Sequence, residues 1–230
     1  MAVTRPAFST RDAILGAAAT AFAARGFAGA SVDAIAGQAR VNKAMIYYHF
    51  KSKHGLYVEV LRDAFRSLVA RTSAIAASEA SPPAKVEAFI DALNEMACTR
   101  PHMPPMMMRE VAEGATRLDV ETLRLMGGLL GNLGVVLDEG ARSGVFRPAN
   151  PVATYFTLMA PIIFFRASTP VRAALARARV VDERGFNAET FIAHLKRVAL
   201  SVLATHGLPV PAAAARPRRR RRSTRLGDHA

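Results

Sequence analysis

The stretch that decides the fold is Ser31-Val32-Asp33-Ala34-Ile35-Ala36-Gly37-Gln38-Ala39-Arg40-Val41-Asn42-Lys43-Ala44-Met45-Ile46-Tyr47-Tyr48-His49-Phe50-Lys51-Ser52-Lys53-His54-Gly55-Leu56. It reads as two short helices joined by a tight turn, then a basic link into a third helix. Ser31 and Asn42 are side chains that accept hydrogen bonds from helix-opening amides, so each marks a helix start. Val32, Ile35, Ala36 and Ala39 fall on one face of the first helix, and Met45, Ile46 and Phe50 on one face of the second. Ala36 is small where the two helices approach, and Val41 is an apolar turn residue able to tuck between them. Lys43, Ala44, Tyr47 and Tyr48 then point outward. A helix pair so built is what a helix-turn-helix needs to push one helix into a DNA major groove.

Working outward on the N-terminal side, Thr10 is expected to cap a first helix, with Ile14, Ala18 and Phe22 inward and Gly26 ending it in a left-handed conformation. Phe27 comes next as a core plug. On the C-terminal side Ser52 caps a long helix to about Ser78 that carries Leu56, Val60, Leu61, Phe65, Leu68 and Val69. Ser81-Pro82-Pro83 opens a fifth helix to about Cys98. Pro101, Pro104 and Pro105 mark a break before a short sixth helix ending at Glu113. Further helices are expected over Leu118–Ser143, Pro151–Ala167, Val171–Arg179 and Ala188–His206. No period-2 run is bounded by hairpin turns, so the fold class is all-α. Residues 208–230, rich in Pro, Ala and Arg, lack the apolar area to form a core and are expected to be disordered. The division is then 1–52, a three-helix DNA-binding unit; 53–207, a helical ligand-binding and dimerisation unit; and 208–230, an Arg-rich tail.

The 230 residues carry a net charge of +13 and are 51% apolar, which suits a real core and an anionic partner. Seven arginines against Asp228 place +6 of that charge in residues 208–230, leaving +7 for the rest. Of five lysines, three (Lys43, Lys51, Lys53) flank Tyr47 and Tyr48, with His49 beside them. There they are positioned to meet phosphates on either side of a groove, and the amides opening the fourth helix add a further phosphate site. One cysteine, Cys98, permits no intrachain disulfide and fits a reducing cytoplasm. Met1–Thr10 has no signal-peptide core, and Pro151–Phe165, a near-apolar run, is too short to span a bilayer, so no membrane partner is expected. No phosphate-cradling Gly loop, metal-helix motif or nucleophile elbow is present, so the chain is read as a non-enzyme without cofactor. Cys98, His102 and Met103, Met106, Met107 and Met108 combine soft-metal ligand types. Bare methionine clusters are usually packing, so no metal site is assigned.

Gly26-Phe27, Ser31-Val32-Asp33-Ala34-Ile35-Ala36, Ala39-Arg40-Val41 and above all Ile46-Tyr47-Tyr48-His49-Phe50-Lys51-Ser52-Lys53 resemble the N-terminal DNA-binding domain of the TetR family of bacterial transcriptional regulators. The resemblance covers about the first quarter of the chain. It implies that Lys43, Ala44, Tyr47 and Tyr48 face DNA and that Ser31, His49 and Lys53 touch phosphates; Arg40 and Asn42 border the same surface. Two departures stand out. Arg40 occupies a turn position where the family often has Gly, and His54-Gly55 replaces an acid after Ser-Lys. The resemblance further implies a homodimer on a palindromic operator, with repression relieved by a small, lipophilic effector. Expected pocket residues are Phe65, Phe89, Leu93, Met96, Met107, Arg109, Leu125, Leu129 and Phe156. The expected dimer face comprises Tyr155, Met159, Ile163, Phe191, Leu195, Val198 and Val202. Periodicity alone leaves both sets equally readable as monomer core.

Overall fold

The computed structural model describes residues 9–180 and 187–205. Among them the chain forms ten helices: α1 (Thr10–Gly29), α2 (Val32–Ala39), α3 (Lys43–Phe50), α4 (Lys53–Ala76), α5 (Pro82–Thr99), α6 (Met103–Ala112), α7 (Val120–Arg142), α8 (Pro151–Ala167), α9 (Thr169–Arg177) and α10 (Ala188–Leu203). No strand occurs among the described residues; a single antiparallel bridge joins Phe146 to Ala204. The all-α expectation therefore holds. The tail 208–230 lies outside the described residues, as does His206, the expected end of the last helix.

Local chemistry sets most boundaries. Ser31, Asn42 and Ser52 accept from the amides of Ala34, Ala44 and Gly55, at 3.1, 2.8 and 2.9 Å. Each satisfies a donor that the helix itself cannot. The first helix is capped one residue earlier than expected: Ser9, not Thr10, accepts from the Asp12 amide at 3.2 Å. Gly26 adopts φ 70°, as its position demanded, but ψ is 178°, so the chain kinks there and resumes helix to Gly29. α10 stops at Leu203, where the chain turns to bond the loop after α7: the Leu203 carbonyl accepts from the Arg147 amide, and the Thr205 amide donates to the Val145 carbonyl.

α1, α2, α3 and the first turns of α4 form a head around Ile14, Phe22, Ile35, Ile46, Phe50 and Leu56. The rest of α4 packs along α7, the most extensive helix pairing among the described residues, with α5 and α8 completing a body. The buried residues of head and body form one continuous apolar cluster. α4 and α7 run in the same direction. Arg62 near the start of α4 pairs with Asp119 and Glu121 at the start of α7. Midway, Asn132 donates to the Val69 carbonyl at 3.2 Å and to Thr72 at 2.9 Å. At the far end buried Lys85 joins the Ala76 carbonyl (3.1 Å) to Glu139 (2.7 Å). By length and composition α7 is also apolar enough to cross a membrane. Here its Leu129, Leu133, Val136 and Leu137 are buried in the core.

Head and body are also joined by charge. Glu59 of α4 accepts from Arg11 of α1 and from Arg66 at 3.0 Å, and lies 3.6 Å from Arg62. Burial opposes ionisation of Glu59, but Arg66 and Arg11 outweigh it and hold its carboxyl below the ordinary glutamate range. Asp119 behaves alike: burial opposes ionisation, and the Thr122 amide, the Thr122 hydroxyl and Arg62 together prevail. Groups whose folded pKa is depressed stabilise the fold above their unfolded values, about 4.3 for Glu and 3.9 for Asp. That stabilisation is lost as pH falls through the lower folded values. The urea midpoint is therefore expected to drop steeply below about pH 4, and Glu59→Gln should flatten that drop.

Candidate nucleic-acid interface

The geometry of the head follows from its turns. After α2, Arg40 takes φ 56°, ψ 42°, and the Val41 amide returns to the Ala36 carbonyl at 3.1 Å. This is the left-handed position anticipated from Arg40 standing where glycine is common. It costs a non-glycine residue about 1 kcal/mol. The turn sets α3 across α2 with Ile46 and Phe50 buried and Met45 half-buried. Rotation about this buried face leaves Lys43, Ala44, Tyr47 and Tyr48 exposed, with Tyr47 at 44% and Tyr48 at 70%. The ring of His49 meets that of Tyr48 edge-on at 5.1 Å, and Lys51 lies 5.9 Å over the Tyr48 ring.

The polar groups around α3 are differently occupied. Ser31 and Asn42 are exposed; each uses a side-chain oxygen as a cap and retains its donor for an outside partner. Arg40 is exposed and has no carboxylate partner among the described residues. Lys43 is paired with Asp33 at 2.9 Å, and that hydrogen bond raises the Lys43 pKa. Lys53 folds inward to the Ala28 carbonyl at 3.3 Å and over the Phe27 ring at 4.7 Å. Thus Arg40, Asn42, Ala44, Tyr47 and Tyr48 share one open surface with Ser31 and His49 at its margins. Lys43 and Lys53 border that surface with their ammonium groups already engaged.

His54 and Gly55 tighten the link from α3 to α4. His54 Nε2 lies 3.0 Å from the Arg117 carbonyl, tying α4 to the loop after α6. A β-carbon at position 55 would overlap the Phe50 carbonyl oxygen, so the backbone passes there only without a side chain. The short helix α6 reaches the head as well. Arg109 donates to the carbonyls of Phe22 (2.9 Å) and Ala23 (2.5 Å), just before the Gly26 kink. Glu110, 1% exposed, accepts from the Tyr57 hydroxyl at 2.6 Å and from Arg117 at 3.1 Å. Burial and this hydrogen bond push the Tyr57 pKa upward. Arg117 also stacks 5.1 Å from the Phe27 ring. Sequence reading missed Tyr57, Glu110 and Arg117 as a unit. The available signal was polar side chains at core spacing on otherwise apolar helix faces.

Of the expected pocket residues, Met96 lines a cleft of about 60 Å³ between α4 and α5. Phe65, Phe89, Leu93 and Leu129 are buried in the continuous core, with Met96, Met107 and Leu125 packed against it. Arg109 is spent on α1, and Phe156 faces outward at 52% exposure because α8 turns Tyr155 and Leu158 inward instead. A cleft of about 200 Å³ opens elsewhere, between α1, α4 and the turn before α6, lined by Asp12, Val60, Asp63, Arg100 and His102 among others. Burial, then Arg100, lowers the His102 pKa. The expected dimer face also divides. Tyr155, Ile163 and Leu195 are buried within the chain; Met159 and Phe191 are half-buried; Val198 and Val202 are exposed. The outward apolar residues of α8 are Val152, Phe156 and Phe164.

Comparison with known proteins agrees with this architecture. Residues 14–60 match the family model described as "Bacterial regulatory proteins, tetR family". The chain is 33% identical over 142 residues to the HTH-type transcriptional repressor KstR2 of Mycolicibacterium smegmatis, covering 61% of this chain and 69% of that protein. It is 28% identical over 191 residues to the HTH-type transcriptional regulator RutR of Escherichia coli K12, covering 80% and 86%. In fold it is similar to the fatty acid degradation regulator FadR of Bacillus halodurans, with a TM-score of 0.68, 15% identity, and coverage of 85% of this chain and 97% of that one.

The link at Gly55 supplies a direct check. Gly55→Ala forces the α3–α4 connection apart and is expected to cost about 1–3 kcal/mol of stability. Arg40→Gly removes the left-handed strain and is expected to gain up to about 1 kcal/mol. Urea denaturation of the two variants should move in opposite directions.

Proposed function

The chain belongs to the TetR family of bacterial transcriptional regulators, and from that premise we propose that it is a homodimeric, effector-released repressor of a palindromic operator. The observation that carries this reading is the exposure of Tyr47 and Tyr48 on a helix whose opposite face is locked into a core by Ile46 and Phe50. Two large phenols turned to water at the tip of a rigid head suit stacking on sugars, contact with thymine methyls and donation to phosphates. Arg40, Asn42, Lys43 and Ala44 complete the groove-facing set. Ser31, His49 and Lys53 hold the flanking phosphates, Lys43 and Lys53 exchanging their present partners for them. The domain division is read as a DNA-binding unit over 1–52 and a ligand-binding and dimerisation unit over 53–207.

The dimer reading is supported by the outward stripe Val152, Phe156 and Phe164 on α8 beside Val198 and Val202 on α10. Two such helices meeting their twofold mates make a four-helix bundle, and the same axis sets two heads on successive major grooves. The effector reading is supported by Met96, Met103, Met106, Met107 and Met126, which lie in or against the core, three of them on α6. Methionine repacks readily around lipophilic guests. A guest there would displace α6, and with it Arg109, Glu110 and Arg117, the side chains that hold α1, α4 and Phe27. Turning an operator from mostly bound to mostly free takes about 5 kcal/mol of differential affinity.

Selection of bound sites from random duplex DNA should yield a palindrome with half-sites about one helical turn apart. On that site Tyr47→Ala is expected to weaken binding at least about thirtyfold, at about 1–3 kcal/mol per half-site, with an unchanged dimer mass. A normal footprint from Tyr47→Ala would remove α3 from the reading surface. Separately, Phe156→Glu with Phe164→Glu should yield a folded monomer by light scattering. An undiminished dimer would place the interface elsewhere.

A further inference from the structure

Head and body leave a cleft where they meet. Asp12, Leu15, Gly16 and Ala19 share one face of α1, and Val60 and Asp63 lie one turn apart on α4. Arg100, just past α5, and His102, just before α6, supply a third wall. The space is about 200 Å³. A cavity of about 150 Å³ holds one benzene ring, so there is room for a single ring with a short polar arm. Gly16 keeps the α1 wall low: a β-carbon there would meet nothing within 4 Å. Leu15, Ala19 and Val60 give the cleft an apolar flank.

Its polar groups are unevenly satisfied. Asp63 is paired with Arg100. Asp12 accepts from the Ser9 hydroxyl at 2.8 Å but has no cationic partner among the described residues. Arg11, next to it, is turned to Glu59 instead. The His102 side chain does not cap α6, and its ring makes no hydrogen bond among the described residues. Burial, then Arg100, outweigh Asp63 and hold the His102 pKa below the ordinary value. At neutral pH the ring is therefore uncharged, with one donor and one acceptor to offer. Asp63 and Arg100 cancel, and the charge of Asp12 is left over. In a chain of net charge +13 the cleft is thus locally negative. Among the described residues no group of three His, Cys, Asp or Glu is arranged to hold a metal ion. The apolar flank would also give a bare ion nothing to meet, whereas a cation on a carbon framework uses both walls.

We propose that this cleft binds a small organic cation, an amine or amidine carried on a single ring. Its charged group meets Asp12 and the His102 ring, and its carbon framework lies against Leu15, Ala19 and Val60. Such an occupant joins α1 of the head to the turn that opens α6. The site is separate from the methionine-rich core, and binding there does not depend on α3 reading DNA; any effect on an operator does.

The test titrates the full-length chain with benzamidine by calorimetry. Benzamide is the neutral control of the same shape, and benzoate the anionic one. Benzamidine should saturate one site per chain, at least about tenfold more tightly than either control, because a charge-assisted hydrogen bond is at stake. Asp12→Asn should weaken it by about tenfold or more. Gly16→Leu, whose side chain grows into the space, should abolish it. Both variants are expected to fold: Asp12 is exposed, and leucine is a better helix former than glycine. Circular dichroism checks this, and either variant suffices should the other unfold. Equal binding of benzamidine and benzamide would overturn the proposal, as would unchanged affinity in a folded Asp12→Asn or Gly16→Leu variant. Displacement of benzamidine by an equal concentration of magnesium chloride would overturn it too, giving the cleft to a metal ion. No DNA enters the titration, so its failure leaves α3 as the reading surface. A normal operator footprint from Tyr47→Ala would conversely leave the cleft standing.

Discussion

The structure depends on one helix being buried twice. The first turns of α4 close the head against Phe22, Ile46 and Phe50, and the remainder closes the body against α5 and α7. Leu56, Tyr57, Val60, Leu61, Ala64, Phe65 and Leu68 are all buried along it. A rod that belongs to two packed groups cannot tilt for one without disturbing the other, since close-packed interiors shift between discrete arrangements rather than deform smoothly. The charged contacts run along the same line. Glu59 joins α1, and Arg62 joins α7.

Beside this rod the last turn of α6 reaches the head through polar side chains. Arg109 donates to the Phe22 and Ala23 carbonyls just before the Gly26 kink, and Glu110 is buried with one oxygen serving both Tyr57 and Arg117. Its other oxygen has no partner within the protein. A carboxylate so placed is costly unless its neighbours stay in register, because a buried polar group left without its partner costs about 1–3 kcal/mol. The same requirement that binds α6 to the head makes the head sensitive to where α6 sits.

Much of this was legible in the amino-acid sequence where the governing chemistry is local. Ser31, Asn42 and Ser52 could be read as caps because the acceptor and the amide it serves lie within three residues. Arg40 could be read as a left-handed turn residue, and Gly26 as a positive-φ position. Legibility failed where a choice between faces depended on distant partners. α8 is apolar around most of its circumference, so spacing alone could not decide whether Tyr155 or Phe156 turned inward. Ser9 and Thr10 are both competent caps one residue apart, and spacing alone does not rank them. The pairing of Tyr57 with Glu110 joins residues 53 apart, which no local rule connects. Phe65, Phe89 and Leu93 are the residue types of either a pocket wall or a filled core, and composition does not distinguish the two.

The placement of the aromatic residues also gives the molecule an optical signature. There is no tryptophan, and the four tyrosines are Tyr47, Tyr48, Tyr57 and Tyr155. Two stand in water on α3, and two are enclosed, with burial alone raising the Tyr155 pKa to about 12. Near-ultraviolet emission therefore divides into a quencher-accessible half, all of it on a single eight-residue helix, and a shielded half that reports on the interior. The intact chain carries its own chromophores for watching that helix, without a dye or an added label.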